Sequence, residues 1–179
     1  MNRGLTVLAT LLSVVFTLSA KEFVLDEKAF TIGTDLEVKD YGIVSERTLS
    51  LTRSFEITGK LPGSSSEEFF SSSTKYVVKD DHQRVLATIT KEVISSFFTV
   101  AGNKYSITDN EGVKIAESEL SSGWRPTITI TENNGAKSVL VASGFRYYTW
   151  HITQDSSSKL DPRVLWIIAA SKTAGDNDK

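Results

Sequence analysis

Seven apolar residues in unbroken succession near the C-terminus, Val164-Leu165-Trp166-Ile167-Ile168-Ala169-Ala170, limit the possible folds more than any other stretch of the chain. Helix punctuation brackets them. Asp161 is a good N-cap, Pro162 fits the first helical position where a missing N–H costs nothing, and Gly175 suits the left-handed conformation that ends a helix. At about 100° per residue the run sweeps almost two full turns, so the helix has no polar face over its middle and must be enclosed. From Pro162 to Ala174 it measures roughly 20 Å, too short to span a bilayer, so protein must surround it. A central buried β-strand over Val164–Ile168 is the competing reading, because periodicity does not separate a short apolar run from a buried helix. The Ala-Ala-Ser-Lys-Thr-Ala continuation favours the helix, alanine being a strong helix former and a poor strand former.

The other end of the chain carries a targeting pattern. Arg3 supplies a positive start, Leu5 to Leu18 are mostly apolar, and Thr17-Leu18-Ser19-Ala20 ends in small residues suited to cleavage after Ser19 or Ala20. An uncleaved anchor is the alternative; either way the domain is expected to leave the cytoplasm, as a periplasmic or secreted protein. The expected division is residues 1–20 as signal peptide, 21–174 as one barrel domain and 175–179 as a disordered acidic tail. Without cysteine the chain has no disulfides, thiolate metal sites or thiol nucleophile. Removing Arg3 leaves 19 basic against 22 acidic residues, a net charge of -3 that argues against nucleic-acid binding.

Between these ends the chain reads as strand and turn. Phe30-Thr31-Ile32 suits a strand. Val38-Lys39-Asp40-Tyr41-Gly42 turns into Ile43 to Arg47 and then the alternating Leu49 to Ile57. Tyr76-Val77-Val78-Lys79-Asp80-Asp81-His82-Gln83 repeats the theme before Val85-Leu86-Ala87-Thr88-Ile89 and Val93 to Val100; the shared Val-Lys-Asp is a strand running into an acidic turn that caps its own backbone. Asp109-Asn110-Glu111-Gly112 and Glu132-Asn133-Asn134-Gly135 are two more tight hairpins. Tyr148, Trp150 and Ile152 share one face of a last strand, with Thr149, His151 and Thr153 on the other. Gly59 to Thr74, rich in Ser and Gly, is predicted to be a surface loop whose Phe69-Phe70 pair tucks back onto the core.

Three stretches in this order carry a resemblance: Tyr76-Val77-Val78-Lys79-Asp80 leading to Val85-Leu86-Ala87-Thr88-Ile89; Tyr105-Ser106-Ile107-Thr108-Asp109-Asn110-Glu111-Gly112-Val113-Lys114-Ile115-Ala116; and Asp161-Pro162-Arg163-Val164-Leu165-Trp166-Ile167-Ile168-Ala169. Over residues 30–174 the chain resembles the tubby C-terminal-like superfamily, especially its LURP-one-related branch and the phospholipid scramblases. The resemblance implies a mainly β fold, a closed antiparallel barrel of about twelve strands around a buried C-terminal helix at about 162–174. It also implies functions whose residues match poorly. Tubby proteins bind phosphoinositide head groups through a basic pocket, whereas Arg47, Arg53, Lys60 and Arg146 are dispersed here, as on a solvated surface. Scramblases carry an acid-rich calcium segment before the terminal helix, whereas Asp155 to Asp161 holds two carboxylates with Lys159 between them, and Asp161 serves better as the cap.

No catalytic, cofactor-binding or metal-ligating residue is assigned. His82 falls in a turn and His151 on the more polar face of its strand; neither a Gly-x-Ser-x-Gly elbow nor a phosphate-cradling glycine loop occurs. Trp124-Arg125-Pro126 is the one conspicuous surface candidate, and Trp124 is expected to close the barrel end. The expectation is an exported, non-enzymatic tubby-like binding module whose partner is a membrane lipid or another protein, with no cofactor. A lipocalin-like carrier of a small apolar ligand is the alternative, and a hydrolase with paired carboxylates the third reading.

Overall fold

Alternating strands and short turns build β1 (Lys21–Glu27), β2 (Asp35–Val38), β3 (Gly42–Leu49), β4 (Thr52–Gly59), β5 (Gly63–Phe70) and β6 (Ser73–Asp80). They continue through β7 (Val85–Ser96), β8 (Thr99–Thr108), β9 (Lys114–Ser118), β10 (Thr127–Glu132), β11 (Lys137–Ser143) and β12 (Thr149–Gln154) to one helix, α1 (Pro162–Asn177). This computed structural model describes residues 19–29, 33–49, 52–70, 73–96, 99–121, 126–144 and 147–177. Each strand pairs antiparallel with its neighbours in sequence, and β1 pairs with β12, from Lys21 opposite Gln154 to Asp26 opposite Thr149, closing a twelve-strand barrel.

The period-2 pattern decides what fills the barrel. Leu25, Val44, Phe55, Ile57, Tyr76, Val78, Ile89, Tyr105, Ile107, Ile128, Ile130, Leu140, Trp150 and Ile152 are buried, while outward neighbours such as Glu56 and His151 stay exposed. The helix occupies the interior they line. Every residue from Arg163 to Ala174 is buried, so no side of α1 meets solvent over that length. Its contacts come from around the ring. Trp166 packs at 5.6 Å from Phe23 and 5.5 Å from Tyr41, Arg163 Nη1 donates to the Pro62 carbonyl at 2.6 Å, and Trp150 Nε1 donates to Thr173 Oγ1 at 2.9 Å. The helix reading of the apolar run therefore holds over the strand reading, and enclosure follows from the missing polar face.

Local chemistry fixes the end where α1 enters. Asp161 accepts from the Arg163 amide at 3.0 Å and from the Arg163 guanidinium at 2.9 and 2.8 Å, so the cap also orients the first buried cation. Asp80 Oδ1 accepts from the amides of His82 and Arg84, and Asp109 Oδ1 from those of Glu111 and Val113, as an acidic self-capping turn requires.

Two expectations are corrected. The stretch Gly59–Thr74 is not a loop: Gly63–Phe70 forms β5, paired to β4 and β6, and β6 begins at Ser73. Its inward residues include Ser65 and Glu67, so the apolar alternation that marks other strands is missing; a side chain at Gly63 would crowd Arg163, whose Cδ lies 3.3 Å from the position of a Cβ. The helix also does not stop at Gly175. It continues to Asn177, so residues 175–177 are helical, with the last turn held by Lys172 Nζ donating to Asp176 at 2.6 Å. Phe30-Thr31-Ile32, Trp124-Arg125, Arg146 and residues 1–18 lie outside the described residues, as do the side chains of Phe69 and Phe70.

Candidate functional site

The inward phase of several strands ends in charge where α1 ends. On β7 the lumen-facing series Ile89, Lys91 carries an ammonium into the mouth of the barrel; on β4 Phe55 is preceded in the same phase by Arg53, and on β3 Val44 is followed by Glu46. With Glu67 of β5 and Lys172 and Asp176 of α1 they form a mixed-charge layer above the apolar core. Arg53 Nε lies 3.2 Å from Glu46 Oε1, and the other Glu46 oxygen accepts from the Thr34 amide at 3.0 Å. Glu67 accepts from the Arg53 amide at 2.6 Å and, more weakly, from the Tyr76 hydroxyl at 3.5 Å. Asp176 accepts from Lys172 and, at 3.1 Å, from the Tyr148 hydroxyl.

Lys91 differs from its neighbours. Burial and the nearby Lys172 ammonium hold its pKa below the usual lysine range, against the opposing pull of the Asp176 and Glu67 carboxylates. Its Nζ lies against the last turn of α1, 3.3 Å from where a side chain on Gly175 would begin. Burial also raises the phenols here: Tyr76 and Tyr105, the latter opposite Lys91 on β8, are pushed far above the ordinary tyrosine range, and Tyr148 is pushed up to about 12 with Asp176 adding to the effect.

A second concavity lies on the outside of β3 to β6, a groove of about 1030 Å³ lined by Arg47, Ser54, Glu56, Ser64, Ser66 and Lys79 among others.

The residues singled out from sequence are not brought together. His82 lies in the turn between β6 and β7 and His151 on β12, across the ring from each other. Arg47 faces outward and meets Glu56 at 3.3 Å, Lys60 lies 6.0 Å from the centre of the Tyr41 ring, and Arg53 points inward; the surface reading of Arg53 is corrected, since its side chain is largely covered and paired with Glu46. Asp155 accepts from the Ser157 amide and hydroxyl, Asp161 caps α1, and among the described residues no three His, Asp or Glu side chains gather as metal ligands would. Sequence reasoning missed the layer of Arg53, Glu67, Lys91, Lys172 and Asp176. Its signal was a charged residue continuing the inward phase of a strand, or sitting one helical turn past the apolar run.

Comparisons with protein-family models, with curated proteins and with solved structures give no match to this chain.

Proposed function

We propose that the protein is an exported, non-enzymatic, tubby-like barrel of the LURP-one-related kind, and that it works as a binding module at a membrane surface. The observation that supports this best is the filled lumen: α1 is buried from Arg163 to Ala174, so the space that a lipocalin-like carrier gives to an apolar ligand is taken by the protein's own side chains. Ligands are left the outer wall and the mouth. The closed ring of twelve strands around a C-terminal helix is the architecture the resemblance implies, and the sequence of residues 1–20 supports export. Among the described residues no helix is long and apolar enough to cross a membrane, so contact with lipid through the domain would be peripheral or through its strands.

Co-flotation of the purified protein with neutral and with anionic vesicles, at low and moderate salt, tests the reading. Flotation with anionic vesicles that weakens as salt rises is expected. No flotation with either kind, at either salt, would remove membrane binding in favour of a protein partner, and saturable uptake of a fluorescent fatty-acid analogue would favour the carrier.

A further inference from the structure

β1 opens on the residue that completes the ring. Lys21 lies opposite Gln154, the last residue of β12, and the pairing runs from there to Asp26 opposite Thr149. Backbone groups along β1 alternate between its two neighbours: the Val24 carbonyl accepts from the Lys39 amide beside β2, and the Glu27 amide donates to the Tyr148 carbonyl. Lys21 is in the phase of Glu27, so its amide turns to Gln154. Ala20 falls in the other phase, with Glu22 and Val24 on the outer wall. There it lines a concavity of about 480 Å³ together with Lys137, Val139, Thr153, Asp155 and Ser157. Asp155 is the carboxylate of this group. Its Oδ1 accepts from the Ser157 amide at 2.9 Å and hydroxyl at 2.8 Å, and its own amide donates to the Lys137 carbonyl at 2.9 Å. Lys137 is the neighbouring cation, and Glu22 stands about 7 Å along β1 from Ala20.

We propose that the leader is cut at the Ser19–Ala20 bond and that the α-ammonium this creates on Ala20 is held by Asp155 at the seam where β1 closes the barrel. This rests on the export reading above and deepens it to one bond and one partner. With a peptidase of the export machinery as catalyst, water adds to the Ser19 carbonyl carbon and the C–N bond to Ala20 breaks. Ser19 leaves with the leader as a carboxylate, and both protons of the water pass to the Ala20 nitrogen. Two observations choose this bond. Leader peptidases prefer small residues at the last and third-last positions of the leader; a cut after Ser19 puts Ser19 and Thr17 there, whereas a cut after Ala20 puts Leu18 at the third-last. On the folded side, a cut after Ala20 would remove a residue that lines the concavity and turn the Lys21 amide, a donor in the closing ladder, into a charged terminus. A retained Ala20 sets its ammonium across from Asp155, one step beyond the pair of Lys21 and Gln154, where facing residues are about 4.5–5.5 Å apart. Ser157 engages Oδ1 of Asp155, which leaves Oδ2 to accept from the new terminus.

The full chain is produced in bacterial and in yeast secretion hosts, and the exported protein is examined by intact-mass spectrometry. A chain beginning at Ala20 is expected. Its α-amine is then acylated near pH 7, where the unprotonated fraction sets the rate and an α-amine, about two to three pH units below lysine in its ordinary range, reacts first. Asp155→Asn keeps an acceptor for Ser157 and removes the charge, so the amine should react about two- to threefold faster at low salt, the difference shrinking as salt rises. Asp26→Asn, about 20 Å away at the far end of β1, is expected to react as the parent does. An exported chain that starts at Lys21, at any other residue or still at Met1 overturns the assigned bond and leaves export standing. A chain that starts at Ala20 but reacts alike with and without the Asp155 charge overturns the anchor. If neither host exports the chain, the cut and the export reading fail together.

Discussion

Alanine substitution along Leu165, Trp166, Ile167 and Ile168 tests the enclosure of α1 most directly, because four successive positions sample about 300° of the helix circumference. All four are at most 1% exposed. Ile167→Ala removes three carbons, worth about 2.4 kcal/mol at roughly 0.8 kcal/mol each, and the hole left among rigid neighbours raises the cost to about 3–4 kcal/mol. Trp166→Ala, which also deletes the ring contacts to Phe23 and Tyr41, should cost about 3–5 kcal/mol. Against a total stability on the order of 5–15 kcal/mol each loss is large, and Ile167→Asp, which places a carboxylate in the same site, should prevent folding. Urea unfolding followed by circular dichroism measures the series, with Val141→Ala on the outer wall as the reference, expected below about 1 kcal/mol. A helix lying on the outside of the barrel would show at least one cheap position among the four. One such position, or a soluble Ile167→Asp variant with native-like dichroism and a cooperative melt, would refute the central helix.

Two further outcomes follow from the mouth and its neighbourhood. Thr173→Val keeps the volume but strands the buried Trp150 Nε1, so it should cost about 1–3 kcal/mol and lower Tm by several degrees, with Thr173→Ser restoring most of the loss; equal melting of the valine and serine variants would refute that hydrogen bond. Tyr148, with its pKa raised to about 12, favours the neutral phenol in the folded state, so its stabilising share is whole below the unfolded value of about 10 and is lost as pH climbs through 12. Tyr76 and Tyr105 act in the same direction. Tyrosinate absorbance should therefore lag behind that of free tyrosine and complete its rise as the fold opens; all five tyrosines ionising together near pH 10, with the dichroism unchanged, would contradict this burial.

The fold was legible where one physical demand dominates. An apolar run with no polar face can only be enclosed, and strands alternating around Asp and Asn turns can only meander, so the barrel, its helix and the self-capping turns at Asp80 and Asp109 followed from Val164 to Ala170 and from the hairpin sequences. β5 was hidden because Gly63, Ser65 and Glu67, its described residues in the inward phase, are not apolar. Gly63 lies beside Arg163 at the entry of α1, Ser65 is a buried hydroxyl, and Glu67 accepts from the Arg53 amide, so none gives the period-2 signal of a half-buried strand. The stop at Gly175 was misread for a related reason. A glycine after an apolar helix usually ends it, but here it makes room for Lys91, a residue 84 positions earlier, and no local rule sees that contact.

The charged mouth was illegible for a deeper reason, which also bears on what it can do. Arg53, Glu67, Lys91, Lys172 and Asp176 are scattered over three strands and the helix, and only closure of the ring makes them one layer. At the end where α1 enters, several polar groups are engaged locally: Arg163 is held by Asp161 and Pro62, Gln154 Nε2 donates to the Leu160 carbonyl at 2.8 Å, and Glu132 accepts from the Lys159 amide at 2.9 Å. That end is built to hold the helix in place. At the other end the carboxylates hydrogen-bond or pair with Arg53, Lys172, Tyr76 and Tyr148, and Asp176 and Glu67 also act on the Lys91 ammonium, whose desolvation is unfavourable. The two ends therefore hold the helix differently, the first through hydrogen bonds to loop backbone and the second through a layer of mixed charge.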